Sequence, residues 1–373
     1  MSTTPVLQSL PAGVVSLGDH EAHARTVLDA NAWAYFSGGA ADGITLRANR
    51  SAWDCLGLLP RVLQSLHGAH TGVELLGRPL VHPILLAPVA YQRLAHPDGE
   101  VASALAAAAQ GAGYVLSTQA SVRLETVAQA IAGDAGRGPL WFQLYAQPDR
   151  GVTRELVQRA EQAGYEALVL TVDAPVSGAR DAERRAGFRL PPGVAAVNLP
   201  APAAGPQAAA GLAGGLAAQA ATWADVEWLL GVTHLPVLLK GILHPEDARL
   251  AARAQVAGLI VSNHGGRTLD TAPATAAMLP RIADSVAGAL PLLVDGGIRR
   301  GTDVLKALAL GAQAVLVGRP VAWGLANAGA VGVAHVLRLL RDELEIAMAL
   351  CGVASLQRLP HGLVLPPEPQ PWP

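Results

Sequence analysis

Eight short apolar runs follow one another from Pro83 onwards, and amphipathic segments separate nearly all of them. Near-continuous apolar strands joined by helices indicate a parallel sheet whose outer face is covered. Eight such units favour closure into a (β/α)8 TIM barrel, with an open doubly wound sheet as the alternative. The eight predicted strands begin at Ile84, Tyr114, Leu140, Ala167, Pro236, Gly258, Pro291 and Ala314.

The segments around these strands complete the predicted architecture, which we expect to be a single domain over residues 1–373. Residues 1–80 are expected to form an N-terminal cap, with a helix from Asp19 to Ala34 and an extended segment near Gly72 to Pro79. A last pair of helices is expected after Pro320. Amphipathic periodicity predicts the connecting helices near 98–111, 121–132, 150–163, 224–231, 245–255, 274–287 and 302–310.

One connection is much longer than the others. It occupies residues 174–222, directly after the fourth strand, and residues 200–221 consist mostly of Ala and Gly. Loops of that length in a compact domain are usually either functional or disordered. The sequence therefore leaves two interpretations open, a lid over the active site or an insertion without a role.

Composition and charge restrict the classes of function. Hydrophobic residues make up 51% of the chain, which suits a compact globular protein. The net charge of -2 and the dispersed arginines argue against nucleic-acid binding. Cys55 and Cys351 are too few and too far apart in sequence for a disulfide framework or a metal site. The N-terminus lacks a signal-peptide pattern, and no uninterrupted apolar span of about 20 residues stands out, so we expect a cytoplasmic protein without membrane attachment.

Polar or ionisable residues sit at or just beyond the end of most predicted strands. In a (β/α)8 barrel the carboxyl ends of the strands form the rim where active sites are built. We therefore expect these side chains to share one site. They are Ser117, Gln143, Tyr145, Thr171, Asp173, Lys240, Ser262, His264, Asp295 and Arg319.

The stretch from Val261 to Asp270, V-S-N-H-G-G-R-T-L-D, holds two chemically useful side chains after the sixth strand. Two glycines separate His264 from Arg267, so the backbone can turn and direct an imidazole and a fixed cation into one space. Such a pair suits proton transfer on an anionic substrate. Taken alone, a histidine after a strand is more often structural, and only the rest of the rim favours a catalytic role.

Glycine-rich turns follow the last two strands. D-G-G-I-R-R-G runs from Asp295 to Gly301, and Gly318 and Arg319 follow the eighth strand. Loops at these positions often hold a phosphate, because glycine admits close approach and helix N-termini favour anions. Lys240, at the end of the fifth strand, could be a Schiff-base nucleophile or a permanent cation beside a cofactor. Spacing does not separate these roles.

Several long strings in this order resemble the FMN-dependent 2-hydroxy acid oxidase and dehydrogenase family, which includes glycolate, lactate and mandelate-oxidising enzymes. They are S-N-H-G-G-R-T-L-D, D-G-G-I-R-R-G-T-D-V-L-K-A-L-A-L-G-A, V-G-R-P, L-A-H-P-D-G-E, F-Q-L-Y and L-T-V-D-A-P. The resemblance extends from about Tyr35 to Cys351. It implies a (β/α)8 barrel that binds FMN and, commonly, a homotetramer.

The resemblance also implies a role for each residue of the cofactor site. Pro88, Val89 and Ala90 would pass along the flavin ring, and Lys240 would lie by its pyrimidine edge, where a cation stabilises negative charge on the reduced ring. Ser117, Gln143 and Thr171 would donate or accept hydrogen bonds at the ring, and Ser262 would belong to the same set. The ribityl phosphate would be held by Asp295, Gly296, Gly297, Ile298, Arg299, Gly318 and Arg319.

On the substrate side, the resemblance implies that Arg180 and Arg267 bind the carboxylate and that Tyr35 and Tyr145 add hydroxyl contacts. His264 would be the catalytic base, oriented by Asp173. The implied reaction is oxidation of an (S)-2-hydroxy acid to the 2-oxo acid. Whether His264 takes the hydroxyl proton or the α-proton is left open.

We expect oxygen to be the electron acceptor, giving hydrogen peroxide, because no haem domain precedes the barrel. A dehydrogenase with another acceptor, a Lys240-dependent aldolase and a non-catalytic flavin-binding protein are the alternatives. Three positions depart from the family pattern, Val89 for Thr, Thr268 for Gln and Gln119 for an aromatic residue. With Gln119 and Tyr91 at the pocket, the size of the substrate, short aliphatic or aromatic, is left open.

Overall fold

The computed structural model describes residues 9–200 and 220–366. Eight of its strands form a closed barrel in which each strand runs parallel to its two neighbours. The strands in the described residues are β1 (Gly57–Leu58), β2 (Val73–Leu75), β3 (Arg78–Leu80), β4 (Ile84–Leu86), β5 (Gly113–Ser117), β6 (Leu140–Leu144), β7 (Ala167–Thr171), β8 (Val237–Ile242), β9 (Gly258–Val261), β10 (Leu292–Val294), β11 (Ala314–Val317) and β12 (Val364–Leu365).

The barrel comprises β4 to β11, and its closure confirms the predicted (β/α)8 fold over the open sheet. Its side chains alternate between two apolar layers. One layer fills the interior, and the larger one packs between the strands and the surrounding helices. Because both faces of each strand are buried, the strands consist of apolar runs, which is why sequence alone located all eight.

The connecting helices lie close to their predicted positions. The one from Leu124 to Ile131 begins three residues later than expected, because the Ser121 backbone N–H and hydroxyl donate hydrogen bonds to the buried Glu100 carboxylate. The helices around the barrel are Gly99–Gln110, Leu124–Ile131, Arg150–Gln162, Trp223–Leu230, Pro245–Arg253, Thr275–Val286, Gly301–Ala309 and Arg319–Cys351.

The predicted helix from Asp19 to Ala34 is wrong. Two helices occupy this region, Leu17–Val27 and Ala30–Ser37. Leu28 between them is extended, and the Asp29 carboxylate accepts a hydrogen bond from the backbone N–H of Ala32, so Asp29 caps the second helix. The break turns the second helix across the barrel mouth and brings Tyr35 to the cavity described below.

Two small sheets complete the cap. The segment predicted as extended near Gly72 to Pro79 is the hairpin β2 and β3, turned by Leu76 and Gly77 at φ of 50° and 75°. Positive φ at both turn residues is the geometry that joins two twisted antiparallel strands tightly. The C-terminal strand β12 pairs with β1, which the sequence did not predict.

The final helix, Arg319–Cys351, confirms the predicted pair of helices, because Ala328 and Gly329 leave helical geometry and divide it. By length and composition it could cross a membrane, with a mean hydropathy of 1.3 over its most apolar window. That window is 72% buried within the protein, as expected of a core helix.

The long insertion is described only in part. Residues 174–200 include the short helix Asp181–Ala186, whereas most of the Ala/Gly-rich stretch 200–221, and with it the predicted lid, lies outside the described residues. Cys55 and Cys351 are both free thiols. Within the described ranges, no group of three or more His, Cys, Asp or Glu side chains could hold a metal ion.

Candidate active site

A cavity of about 530 Å³ opens at the carboxyl ends of the barrel strands. Such a volume is typical of cofactor and small-molecule sites. All but two of the residues predicted for the site line it; Asp173 and Ser262 lie behind its wall and contact residues that do. The lining set includes Tyr35, Pro88, Val89, Ala90, Ser117, Gln143, Tyr145, Thr171, Arg180, Lys240, His264, Arg267, Asp295, Gly296, Gly297, Ile298, Arg299, Gly318 and Arg319.

His264 is held by a carboxylate on one side and faces the cavity on the other. Its Nδ1 lies 2.8 Å from Asp173 Oδ1, and its Nε2 lies 3.4 Å from the Tyr145 hydroxyl. With Nδ1–H donating to the carboxylate, Nε2 is left as the acceptor, which is the tautomer that a base needs. Gly241 allows the carboxylate to approach, because a Cβ there would lie only 2.5 Å from the Asp173 Cβ.

The electrostatic environment keeps this imidazole neutral. Burial lowers the pKa of His264 below its ordinary value, Asp173 opposes that shift, and the cations Lys240 and Arg267 add to it. Burial favours a raised pKa for Asp173, but His264 and Lys240 outweigh burial and lower it. A neutral imidazole is therefore paired with an ionised carboxylate at neutral pH.

The backbone after β9 explains the direction of these side chains. His264, Gly265 and Gly266 have φ values of 57°, 64° and 74°, so three successive residues lie in the left-handed region. At Gly266 a Cβ would lie 2.7 Å from the backbone nitrogen of Leu46, so only glycine fits against the cap there. The tight turn directs His264 and Arg267 into the cavity, as the sequence predicted.

Two guanidinium groups approach the mouth of the cavity from different segments. Arg267 donates from Nη1 to the carbonyls of Tyr35 and Gly38 and from Nη2 to the carboxylate of Glu183. Burial, followed by the charge of Arg267, lowers the pKa of Arg180 to about 10, so Arg180 remains a cation at neutral pH. Its buried Nη1 has no hydrogen-bond partner within residues 9–200 and 220–366, which leaves a donor for an anionic ligand.

Lys240 is a buried cation rather than a reactive amine. Its Nζ lies 3.0 Å from Asp295 Oδ2 and donates to the Ser262 hydroxyl at 2.9 Å. Burial favours the neutral amine, but the carboxylates of Asp295 and Asp173 outweigh burial and raise the pKa of Lys240. Ser262 also accepts a hydrogen bond from the backbone N–H of His264, so it holds both neighbours without lining the cavity.

Hydrogen-bonded side chains at the ends of β5, β6 and β7 form a polar floor. The Gln143 amide oxygen accepts from the Ser117 hydroxyl at 3.2 Å, and its nitrogen donates to the Thr171 hydroxyl at 3.0 Å. These bonds fix the orientation of the amide. Pro88, Val89 and Ala90 also line the cavity.

The glycine turns after β10 and β11 form the remaining end of the cavity. Gly296 and Gly297 have φ of 91° and 85°, and a Cβ at Gly297 would lie 2.2 Å from the Asn49 carbonyl oxygen. The helix Arg319–Cys351 begins in the cavity lining, whereas the helix Gly301–Ala309 begins outside it, where the Gly301 backbone N–H donates to Glu343. Arg319 donates to the carbonyls of Gly265 and Gly38, while its buried Nε lacks a partner among the described residues.

Four residues that the sequence reasoning missed support the site. Asn49 and Asn263 exchange amide hydrogen bonds at 2.8 Å in both directions, which attaches the cap helix Ile44–Cys55 to the catalytic turn. Glu183 forms an ion pair with Arg267, and Phe188 stacks on Tyr35 at 5.0 Å. The available signal for Glu183 and Phe188 was their closeness in sequence to Arg180.

Comparison with known proteins agrees with this geometry. The profile described as FMN-dependent dehydrogenase matches residues 24–365. The chain is 48% identical to an L-lactate oxidase of Alicycliphilus denitrificans, across 96% of this chain and 98% of that protein. It is 46% identical to glycolate oxidase 1 of Zea mays, across 93% of this chain and 94% of that protein.

Among solved structures, a mandelate oxidase with (S)-2-phenylpropionate matches at a TM-score of 0.84 and 46% identity, covering 92% of this chain and 96% of that one. Fold, cavity and sequence agree along nearly the whole chain. The protein is therefore a member of the FMN-dependent dehydrogenase family.

Proposed function

We propose that this protein is an FMN-dependent oxidase that converts an (S)-2-hydroxy acid to the 2-oxo acid and passes the electrons to oxygen. One observation carries the proposal. The neutral His264 imidazole, paired with Asp173, faces the same cavity as the cations Arg180 and Arg267. A base beside two carboxylate-binding groups is the arrangement that oxidation of a 2-hydroxy acid requires.

The cavity also suits the cofactor of the family. Buried Asp295 Oδ1 and Arg319 Nε are without partners in the described part of the chain, so a hydrogen-bonding ligand would satisfy both. The N-terminus of the helix Arg319–Cys351 and the Gly296–Gly297 turn suit the FMN phosphate, with Arg299 and Arg319 as counter-charges. When bound, FMN accepts the two electrons that leave the substrate and transfers them to the acceptor.

The substrate would be oriented by its carboxylate. Arg180 has a buried donor without a partner among the described residues, and Arg267 is fixed by two backbone carbonyls, so the pair can hold an anion in a defined position. Burial raises the pKa of both Tyr35 and Tyr145, so their hydroxyl groups remain neutral hydrogen-bond donors. We assign these four residues to substrate binding.

His264 would remove a proton from the bound hydroxy acid, and both the hydroxyl-proton and α-proton routes use its Nε2. The imidazolium that results has the Asp173 carboxylate 2.8 Å away as counter-charge. Lys240 stays protonated and supplies a fixed positive charge beside the cofactor. His264, Asp173 and Lys240 are therefore the catalytic group that we propose.

The environment of Lys240 argues against the aldolase alternative. A Schiff-base lysine must be neutral to attack a carbonyl, and such residues have lowered pKa values. Here Asp295 and Asp173 raise the pKa instead. Incubation with a carbonyl substrate and borohydride should therefore leave the lysine unmodified, and trapping at Lys240 would favour the aldolase.

An anaerobic spectral screen against 2-hydroxy acids tests the proposal and selects the substrate. We expect bleaching of the flavin by at least one member of a panel including (S)-lactate, glycolate and (S)-mandelate, the substrates named in the relatives. Yellow protein that none of the panel bleaches would instead identify a flavin-binding protein without turnover.

The acceptor is tested by readmitting air. We expect rapid return of the flavin absorbance with formation of hydrogen peroxide. Slow recovery in air, combined with rapid recovery on adding a quinone or cytochrome, would make the protein a dehydrogenase. Cytoplasmic location and assembly into a homotetramer remain proposals, testable by cell fractionation and by light scattering.

A further inference from the structure

Glu183 places a negative charge inside the cationic end of the cavity. It belongs to the helix Asp181–Ala186 and lines the cavity, and its Oε1 lies 3.2 Å from Nη2 of Arg267. The two side chains are only 15% and 16% exposed. An ion pair this sheltered is screened less by solvent than a surface pair, so the carboxylate contributes to the potential of the site.

Arg267 has contacts besides Glu183 that fix its orientation. Its Nη1 donates to the backbone carbonyls of Tyr35 and Gly38, and its guanidinium lies 5.0 Å over the Tyr35 ring. That ring is itself stacked on Phe188. Since these contacts hold the guanidinium on two sides, the main contribution of Glu183 is its charge.

The charge of Glu183 also reaches the second guanidinium. Burial and Arg267 both lower the pKa of Arg180, whereas Glu183 opposes them. The neighbouring Tyr35 and Tyr145 are neutral because burial raises their pKa values. Glu183 therefore offsets one of the two positive charges that Arg180 and Arg267 contribute, so this group of three side chains carries a net charge of about +1.

We propose that Glu183 selects for ligands with one carboxylate, by repelling the second charge of dianionic acids from the site formed by Arg180 and Arg267. The inference rests on the proposed function, because it assumes that these two arginines bind the carboxylate of the substrate. A monoanion meets a charge-matched site. A dianion of similar size meets the same site with twice the repulsion from Glu183.

Pyruvate and oxalate test this directly, since they are similar in size and differ by one charge. Their dissociation constants are measured on the FMN-loaded protein from the change in flavin absorbance, before and after Glu183→Gln. Glutamine keeps the shape and an acceptor oxygen for Arg267 but removes the charge. A unit charge several ångströms away at an effective dielectric of about 20 to 40 alters affinity about tenfold.

We therefore expect both ligands to bind more tightly to Glu183→Gln, and the preference for oxalate over pyruvate to rise about tenfold. Glu183→Asp should keep the wild-type preference, because it keeps the charge. Glu125→Gln is the matched control and should change neither constant. It removes a carboxylate that pairs with Arg159 at 2.7 Å outside the lining of the cavity.

An unchanged preference in Glu183→Gln would overturn the inference, as would equal weakening of both ligands, which would indicate a structural role. The measurement needs no turnover, so it remains readable if no 2-hydroxy acid reduces the flavin. In that case the proposed function fails, but the dissociation constants of pyruvate and oxalate still show whether Glu183 selects ligands by charge.

Discussion

At the scale of single residues, the chemistry depends on His264 being neutral and correctly oriented at the same time. Burial lowers its pKa, and Asp173 fixes the ring through Nδ1 at 2.8 Å. The sequence around His264 predicts neither the lowered pKa nor the fixed ring orientation, because both arise from groups that are distant in sequence. This pair and the neighbouring Arg267 support three predictions about individual side chains.

His264→Ala should retain FMN but lose flavin reduction. The imidazole contacts Asp173 and Tyr145 rather than forming the hydrophobic core, so the fold and the phosphate turn should remain. General base catalysis is worth about a hundred- to ten-thousand-fold, and anaerobic stopped-flow should show a loss of that order. His67→Ala, at an exposed position, is the control. Near-normal reduction in His264→Ala would remove this residue from the mechanism.

Asp173→Asn should shift the pH profile as well as slow the reaction. The neutral imidazole is the active form, so the reduction rate falls as pH drops through the pKa of His264. The Asp173 carboxylate raises that pKa against burial, and its removal lowers the pKa further. The acidic limb of kcat/KM should move to lower pH, with a plateau reduced about a hundredfold or more. An acidic limb that moves to higher pH would contradict this account.

Arg267→Lys should weaken substrate binding and slow reduction together. Lysine keeps the charge but loses the planar fork, which here contacts two backbone carbonyls and leaves donors for a carboxylate. We expect KM to rise about tenfold or more and the reduction rate to fall. Arg338→Lys, on the exposed face of the last helix, should behave as wild type. An unchanged KM would show that Arg267 does not bind the carboxylate.

At the scale of elements, the cap helix Ile44–Cys55 supports the catalytic turn from outside the barrel. Asn49 and Asn263 exchange two hydrogen bonds in a buried environment, and Asn263 also accepts from the backbone N–H of Gly266. The turn Val261–Asp270 is therefore fixed by an element more than two hundred residues earlier. Sequence reasoning located the turn but missed its support.

Asn49→Ala should destabilise the protein, because it leaves the buried Asn263 amide with unmet hydrogen bonds. An unsatisfied buried polar group costs about 1–3 kcal/mol, which denaturant unfolding of the FMN-loaded protein should resolve. Asn31→Ala provides the contrast. Asn31 also makes two hydrogen bonds, to the Arg189 backbone, but these bonds are exposed to solvent, so their loss should cost less stability. Equal stability of Asn49→Ala and wild type would show that the hydrogen bonds between Asn49 and Asn263 do not contribute to the free energy of unfolding.

Elements with a repeating pattern were predictable, and those defined by single contacts were not. Strands buried on both faces show apolar runs, so the predicted barrel strands lie within a residue or two of those observed. The break at Leu28 and Asp29 was missed, because an aspartate that caps a helix is equally compatible with a helix that continues. The two-residue strands β1 and β12 have no periodicity to detect.

At the scale of the whole molecule, the barrel assembles a site from segments spread over nearly three hundred residues. Tyr35 comes from the cap, Arg180 from the insertion and Arg319 from the start of the last helix, yet all three line one cavity. The family resemblance predicted all three positions, and the position of Arg319 after the eighth strand also indicated that it lies at the rim of the barrel. Glu183 and Phe188 were missed because their partners, Arg267 and Tyr35, become neighbours only after folding.

The most direct test of the central claim is an anaerobic titration of the FMN-loaded protein with the 2-hydroxy acid selected by the screen. We predict that about one equivalent of the (S)-acid bleaches one equivalent of flavin and yields one equivalent of 2-oxo acid. Readmitted air should then restore the flavin colour and produce about one equivalent of hydrogen peroxide. The (R)-enantiomer should leave the spectrum unchanged. Flavin that stays oxidised at excess (S)-acid, or bleaching without 2-oxo acid, would contradict the account.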